Sequence, residues 1–311
     1  MQIIKGQGFN DTYKMVIKEL LNSGRKTNRR GEAMMMEDFI VMEMANPRDR
    51  VLTRKARDAS PYFMAGEFLW MYAGRSDLAG LVPYNTSVAR FSLDENKNLF
   101  GAYGPRIMAQ FLMVVAELKK NPYSRQGYVS VHQSEDNFGG AGNNYPCNVG
   151  FHLQMENDKL AMNVFVRSQD MMFGFPYDAF HWTMLQEIAA KEIGAELGTF
   201  RNVVSNCHVY LKHEDQLKRI LNEFHDTPED GIMEKMPAKP LEIRGVVSEA
   251  FDAVTKGGSY NDTGSSYWNG LLDVCWAKIQ KDHAGMDLTI PPSFGKMIKY
   301  REAVRKTQNE K

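Results

Sequence analysis

The stretch "VFVRSQDMMFGFPYDAFHW", residues 164–182, changes character twice. It opens as an apolar strand end, passes through Arg167, Ser168 and Asp170, turns at Gly174 and Pro176, and enters a helix beginning at Asp178. Over 178–194 the residues Phe180, Met184, Leu185, Ile188 and Ala189 recur at helical spacing. Just upstream, 149–155 and 160–166 form two strand-like runs around the turn "ENDK". A strand pair thus feeds a helix through a polar turn. That turn has two readings. It is a solvated connection with Asp178 capping the helix, or it is an anion site with Arg167 and Ser168 on a phosphate and Asp178 reading a base.

Next outward lies "GGAGNNYPCNVGFH", residues 139–152. Cys147 follows a proline, which restricts the backbone before it. A lone cysteine is commonly a small buried hydrophobe. As a nucleophile it needs a thiolate, hence a nearby positive charge, and Arg29, Arg125 and Arg167 are the candidates.

The rest of the 311-residue chain reads as an irregular alternation of helices and strands. Helices are expected over 9–21, with Asn10 or Asp11 as cap, and over 61–73, 107–118 and 214–224. Strands are expected at "DFIVMEM", 127–132, "HVYL" and "LEIRGVV". Loops are expected at "GRKTNRRGEAMMM", 74–105, 226–240 and 257–270, with a charged, fraying tail from 296. No repeat, domain boundary, dinucleotide fingerprint or P-loop is found. The pattern predicts one α+β domain over 1–311. Formal net charge is zero, so no basic surplus argues for DNA. The three cysteines, odd and scattered, argue against a disulfide framework and for a reducing compartment. With no apolar run of spanning length and a polar N-terminus, the expectation is a cytoplasmic protein without membrane contact.

Taken together, Pro146-Cys147, the strand pair, Arg167-Ser168-Gln169-Asp170 and Gly174-Phe175-Pro176-Tyr177-Asp178 resemble thymidylate synthase and its pyrimidine hydroxymethylase relatives. "CHVY" matches that family's sugar-binding pair and assigns His208 and Tyr210. "NRRG" resembles its phosphate loop and assigns Arg29. "GEFLWMYAG" resembles its glutamate helix and assigns Glu67. "YSRQ" resembles the segment reaching into a partner subunit's phosphate site and assigns Arg125, with Gln126 in place of a second arginine. The likeness spans roughly residues 9–250. It implies a mixed sheet packed with helices, a homodimer through the sheet with shared sites, a pyrimidine nucleoside monophosphate as substrate, and 5,10-methylenetetrahydrofolate as one-carbon donor. Cys147 would be the nucleophile and Glu67 the organiser of water and protons. Arg29, Arg125, Arg167 and Ser168 would hold the phosphate, and Asp170 would meet the pterin.

Departures from the synthase pattern carry the finer reading. Asn148 stands where synthases have histidine, and Asp178 where they have the asparagine that reads uracil. Residues 133–146 are unlike the synthase stretch, and "RKTQNEK" replaces its apolar tail. An aspartate suits cytosine, accepting from N4–H₂ and sharing one proton with N3. The tail suggests water rather than hydride as the group finally added to the exocyclic methylene. The expectation is therefore a deoxycytidylate 5-hydroxymethyltransferase. The alternatives are a CMP or dUMP hydroxymethylase, a thymidylate synthase, or an inactive nucleotide- or RNA-binding homologue.

Overall fold

The computed structural model describes residues 2–29, 32–92, 97–138, 144–223, 231–280 and 288–309. In chain order the elements are β1 (Gln2–Gly6), α1 (Phe9–Ser23), β2 (Arg25–Arg29), β3 (Glu32–Met44), α2 (Pro61–Tyr72), α3 (Tyr103–Lys120), β4 (Tyr128–Ser130), β5 (Asn148–Glu156), β6 (Lys159–Val166), β7 (Gln169–Asp170), α4 (Phe175–Ile193), β8 (Glu196–Tyr210), α5 (Glu214–Asn222), α6 (Arg244–Thr255), α7 (Ser266–Gln280) and α8 (Pro292–Asn309). The strands form one mixed sheet in the order β1-β3-β8-β6-β5-β4, with β2 paired to β3 and β7 to β8. The α+β expectation holds. No helix among the described residues is long and apolar enough to cross a membrane.

Local chemistry explains the elements around the polar turn. Asn157 and Asp158 both take positive φ, 49° and 60°, as a two-residue turn between twisted strands requires, and these residue types tolerate it. Gly194 ends α4 at φ 74°, where a side chain would be strained. Ile40, Met42, Val164 and Val204 are buried on the helix-covered face of the sheet. The alternate residues Ile3, Val41, Val203 and Phe165 line up across paired strands, and Ile3 and Phe165 are exposed. One sheet face is therefore core and the other carries an open apolar row.

Several expectations need correction. "GRKTNRRGEAMMM" is no irregular turn: β2 pairs with the start of β3, and cross-strand pairing outweighs its basic, loop-like composition. The long central strand β8 was legible only as "HVYL". Its asparagines and Gly198 weaken the strand signal, and pairing with β3 on one edge and β6 on the other supplies what propensity lacks. "LEIRGVV" forms no strand, because α6 begins inside it and places Val247, Ala250, Phe251 and Val254 on one buried face. Helix α1 starts after Gly8, and Asn10 is buried, bonded to the Val51 carbonyl rather than capping. The loop expected over 257–270 gives way to α7 at Ser266. The segment from 296 is helical, with Met297 buried and Arg301 paired to Asp58.

Two long-range ties fix the polar turn. Tyr13 of α1 donates to the Met171 carbonyl at 2.9 Å. Deeper in α4, Glu187 is paired with Arg50, both side chains 3% exposed or less, and its second oxygen accepts from Met236 N at 3.0 Å. A buried ion pair whose partner is removed leaves one charge uncompensated. We expect Glu187→Ala to lower unfolding stability in urea by about 3–5 kcal/mol. The isosteric double replacement Arg50→Met/Glu187→Leu should recover most of that loss. A single-variant loss within about 1 kcal/mol would mean the pair is no stronger than an exposed one.

Candidate active site

Cys147 lies just before β5, half-buried, where Arg167 N donates to its carbonyl at 3.0 Å. The Arg167 guanidinium donates from Nε to the Pro146 carbonyl at 2.9 Å, and so braces the turn that presents the thiol. Burial pushes the thiol up, the Arg167 charge pulls it down, and Asp178 and Asp170 add to the rise. Of the three arginines considered beside Cys147, the structure brings Arg167 there. Arg125 stands exposed before β4, in a turn bonded to Leu153, six residues and about 20 Å along β5 from the thiol. Arg29 ends β2, and its side chain lies outside the described residues, as do residues 139–143 of the glycine-rich stretch.

Asp178 does not cap its helix. Helix α4 starts at Phe175 after Gly174, so Asp178 sits inside the first turn, and its side chain turns to Gln169, whose Nε2 donates to Oδ2 at 2.9 Å. Asn202 of β8 donates to Gln169 Oε1 at 3.2 Å. Burial raises the Asp178 carboxyl to about 6, against the lowering effect of hydrogen bonds from Gln169 and Asn148. Asn148 is itself oriented by Trp182 Nε1, which donates to its Oδ1 at 3.2 Å, while its amide donates to the Tyr103 hydroxyl at 2.8 Å.

Glu67 faces this group from the middle of α2, its side chain 27% exposed. Burial lifts its carboxyl well above the ordinary range and the Asp178 charge adds to the rise. Helix α2 forms because Ser60 caps it, accepting from Phe63 N, and Pro61 fits its first position. Tyr177 ties the two helices by accepting from Ser60 N at 3.0 Å.

The remaining predicted residues frame the same strand ends. Ser168 is half-buried between β6 and β7. His208 is buried on β8, edge-on to Tyr210 at 5.6 Å, and burial pushes its imidazole down against the pull of Asp170. Asp170 spends Oδ1 on the Met172 and Phe173 amides at 2.7 and 3.1 Å, leaving one oxygen uncommitted by those bonds. Phe173 beside it is 53% exposed, with Arg57 at 5.8 Å and His213 at 5.2 Å. Cys147 thus feels the charges of Arg167, Asp178 and Asp170, and Glu67 feels that of Asp178. Sequence reasoning missed Tyr103, Gln169 as a donor, and Asn202. Buried polar residues at core-facing positions, such as Asn202, were the signal available.

The thymidylate synthase family model matches residues 11–251. Among curated proteins, the chain is 30% identical to the deoxyuridylate hydroxymethyltransferase of Pseudomonas phage M6 over 68% of this chain and 62% of that protein. It is 30% identical to the enzyme of the same name from Delftia phage PhiW-14 over 66% and 59%. It is 26% identical to the thymidylate synthase of Corynebacterium aurimucosum over 69% and 81%. The chain therefore spans about 60% of the length of these two phage relatives.

The Gln169 amide stabilises ionised Asp178, so its loss should raise the carboxyl further. In Gln169→Leu we expect the Asp178 midpoint, followed by carboxyl ¹³C NMR, to move upward from about 6 by roughly one pH unit. An unmoved midpoint would show that the amide does not control this group.

Proposed function

This chain belongs to the thymidylate synthase family, and on that premise we propose that it transfers a one-carbon unit to C5 of a pyrimidine deoxynucleotide and hydrates it to a 5-hydroxymethyl product, with dCMP as substrate. The observation that carries the base assignment is the Asp178 carboxyl, buried and raised to about 6. Cytosine offers an amino donor at C4 and an acceptor at N3. One proton shared between Asp178 and N3 completes that edge and makes C6 more electrophilic. A carboxyl poised near 6 gains this proton cheaply at neutral pH, since one pH unit corresponds to about 1.4 kcal/mol.

The Cys147 thiolate adds to C6, and the displaced electron pair makes C5 nucleophilic. The family's donor, 5,10-methylenetetrahydrofolate, supplies the carbon at the oxidation level of formaldehyde. The exposed Phe173 ring and the uncommitted Asp170 oxygen suit a flat cosubstrate with an amino edge. C5 attacks the donor's methylene carbon, the bond from that carbon to the folate nitrogen breaks as C5 gives up its proton, and the thiol stays bound until water has added to the resulting exocyclic methylene. The C6–S bond breaks last. Water in equals the hydroxyl gained, and tetrahydrofolate leaves at its original oxidation level. Glu67, whose carboxyl burial lifts well above its ordinary range, handles the water and the protons. Arg167 and Ser168, with Arg29 and a partner's Arg125, hold the phosphate, and His208 and Tyr210 meet the 3′-hydroxyl, which deoxyribose and ribose share. The hydroxymethyl outcome draws on the names of the phage relatives. Those names also favour dUMP as the second reading. Joint presence of Cys147, Glu67 and Asp170 speaks against an inactive homologue. The open apolar row of Ile3, Val41, Val203 and Phe165 suits a homodimer through the sheet.

Competition between dCMP and dUMP should favour dCMP in the wild type and swing toward dUMP in Asp178→Asn, with mass spectrometry finding an added hydroxymethyl group. An unchanged ratio would remove Asp178 as the base reader, and release of dihydrofolate would replace hydration by methylation. Cys147→Ser should retain nucleotide binding and lose turnover. The pH dependence has a definite sign. Thiol ionisation makes activity rise with pH, whereas loss of the Asp178 proton above about 6 makes kcat/KM for dCMP fall about tenfold per unit. Asp178→Asn should abolish that falling limb. Sedimentation should give a dimer that Phe165→Glu dissociates with loss of activity.

A further inference from the structure

Glu67 has a neighbour that the reaction above leaves idle. His181 lies one turn along α4 from Asp178, its side chain 3% exposed. Phe68 and Phe180 flank its ring at centroid separations of 6.3 and 6.1 Å. Burial pushes this imidazole down to about 3, so the ring is neutral at working pH. The ring also bonds to the Met64 backbone. Met64 N already donates to the Ser60 carbonyl, so the histidine meets the Met64 carbonyl, which only accepts. The ring nitrogen on that side must carry the proton. The other, Nε2, then presents a lone pair. Among the described residues Nε2 is buried without a hydrogen-bond partner, and it stands 3.6 Å from Glu67 Oε2.

An acceptor nitrogen facing an ionised carboxylate would be two acceptors in a dry site, a costly arrangement. An acceptor facing a carboxylic acid is a hydrogen bond waiting for less than an ångström of approach. We propose that His181 Nε2 accepts the Oε2–H of protonated Glu67 and acts as a positioning residue that leaves Oε1, the carbonyl oxygen, turned toward the nucleotide pocket. A water there donates to Oε1 and keeps a lone pair for carbon. Without His181 the acid proton could rest on either oxygen, and half of those arrangements would offer the water a donor instead of an acceptor. The other titratable groups around the pair are Asp178 on α4, Tyr103 on α3 and Cys147 before β5. Of these, Asp178 acts directly on Glu67 and also favours its protonated form. The inference rests on the reading of Glu67 as the group that handles water.

The hydrogen bond can be read in the wild-type protein without nucleotide, by ¹⁵N NMR of histidine-labelled enzyme. We expect His181 in the Nδ1–H form, with an Nε2 resonance that shifts toward the free-lone-pair position as Glu67 is titrated or replaced in Glu67→Ala. An Nε2–H tautomer, or a resonance indifferent to Glu67, overturns the proposal even if the substrate assignment stands. The kinetic arm uses His181→Phe, which keeps a ring and removes the acceptor, and His181→Gln, which restores an acceptor oxygen. We expect the Phe variant to lose about tenfold in kcat, with nucleotide KM unchanged and the Glu67 limb of the pH profile moved to lower pH. The Gln variant should recover part of the loss. A folded Phe variant with the wild-type pH profile overturns the positioning role.

Discussion

Glu67 and Asp178 are two carboxyl groups held largely out of water within reach of each other's charge, and this constraint organises the site. Two ionised acids in such a place repel, and burial penalises each separately. Both carboxyls are accordingly lifted, Asp178 to about 6 and Glu67 well above its ordinary range. The difference follows from their partners. Asp178 receives amide hydrogens from Gln169 and Asn148, which favour its charge, whereas Glu67 has the Asp178 charge against it and His181 Nε2 at 3.6 Å. Both side chains are thereby made readier to hold a proton near neutral pH, and the amide hydrogens on Asp178 moderate its rise.

Such an arrangement is expensive, and the scaffold that maintains it is extensive. Helices α2 and α4 must approach closely enough to set the two acids together. The Ser60–Tyr177 bond ties their first turns, the Arg50–Glu187 pair anchors α4 farther along, and Tyr13 clamps the turn that leads into it. The polar network continues through Tyr103 and Trp182, whose rings stack at 5.5 Å while both bond to Asn148. The asparagine at 148 is thus a connector between the strand that follows Cys147 and helix α4.

Much of this was legible in the sequence where chemistry and spacing coincide. The run from Cys147 to Asp178 contains its own strands, turn and helix start, so the local signals agree with the tertiary outcome. Helices α2 and α3 were equally plain from their apolar content. What escaped was whatever depends on distant partners. β2 reads as a basic turn until β3 lies beside it, and β8 reads as polar until two strands flank it. Gln169 was quoted as part of a motif, but its role as donor to Asp178 and acceptor from Asn202 needs three segments in one place. The cap reading of Asp178 failed because the helix begins three residues earlier, at Phe175, after a glycine with no side chain to cap it.

Strand β8 pairs antiparallel with β3 and parallel with β6, and Asn202, His208 and Tyr210 share one parity along it. Side chains in a strand alternate faces, so inserting a single residue ahead of Asn202 would turn all three to the opposite face and drive Val203 and Ser205 toward the core. Both neighbouring registers would have to break together. The strand therefore tolerates change of side chain far better than change of length. Divergence in ligand preference within this architecture should be written in substitutions at the even-numbered positions of β8, while insertions accumulate in the connections that no strand has to match.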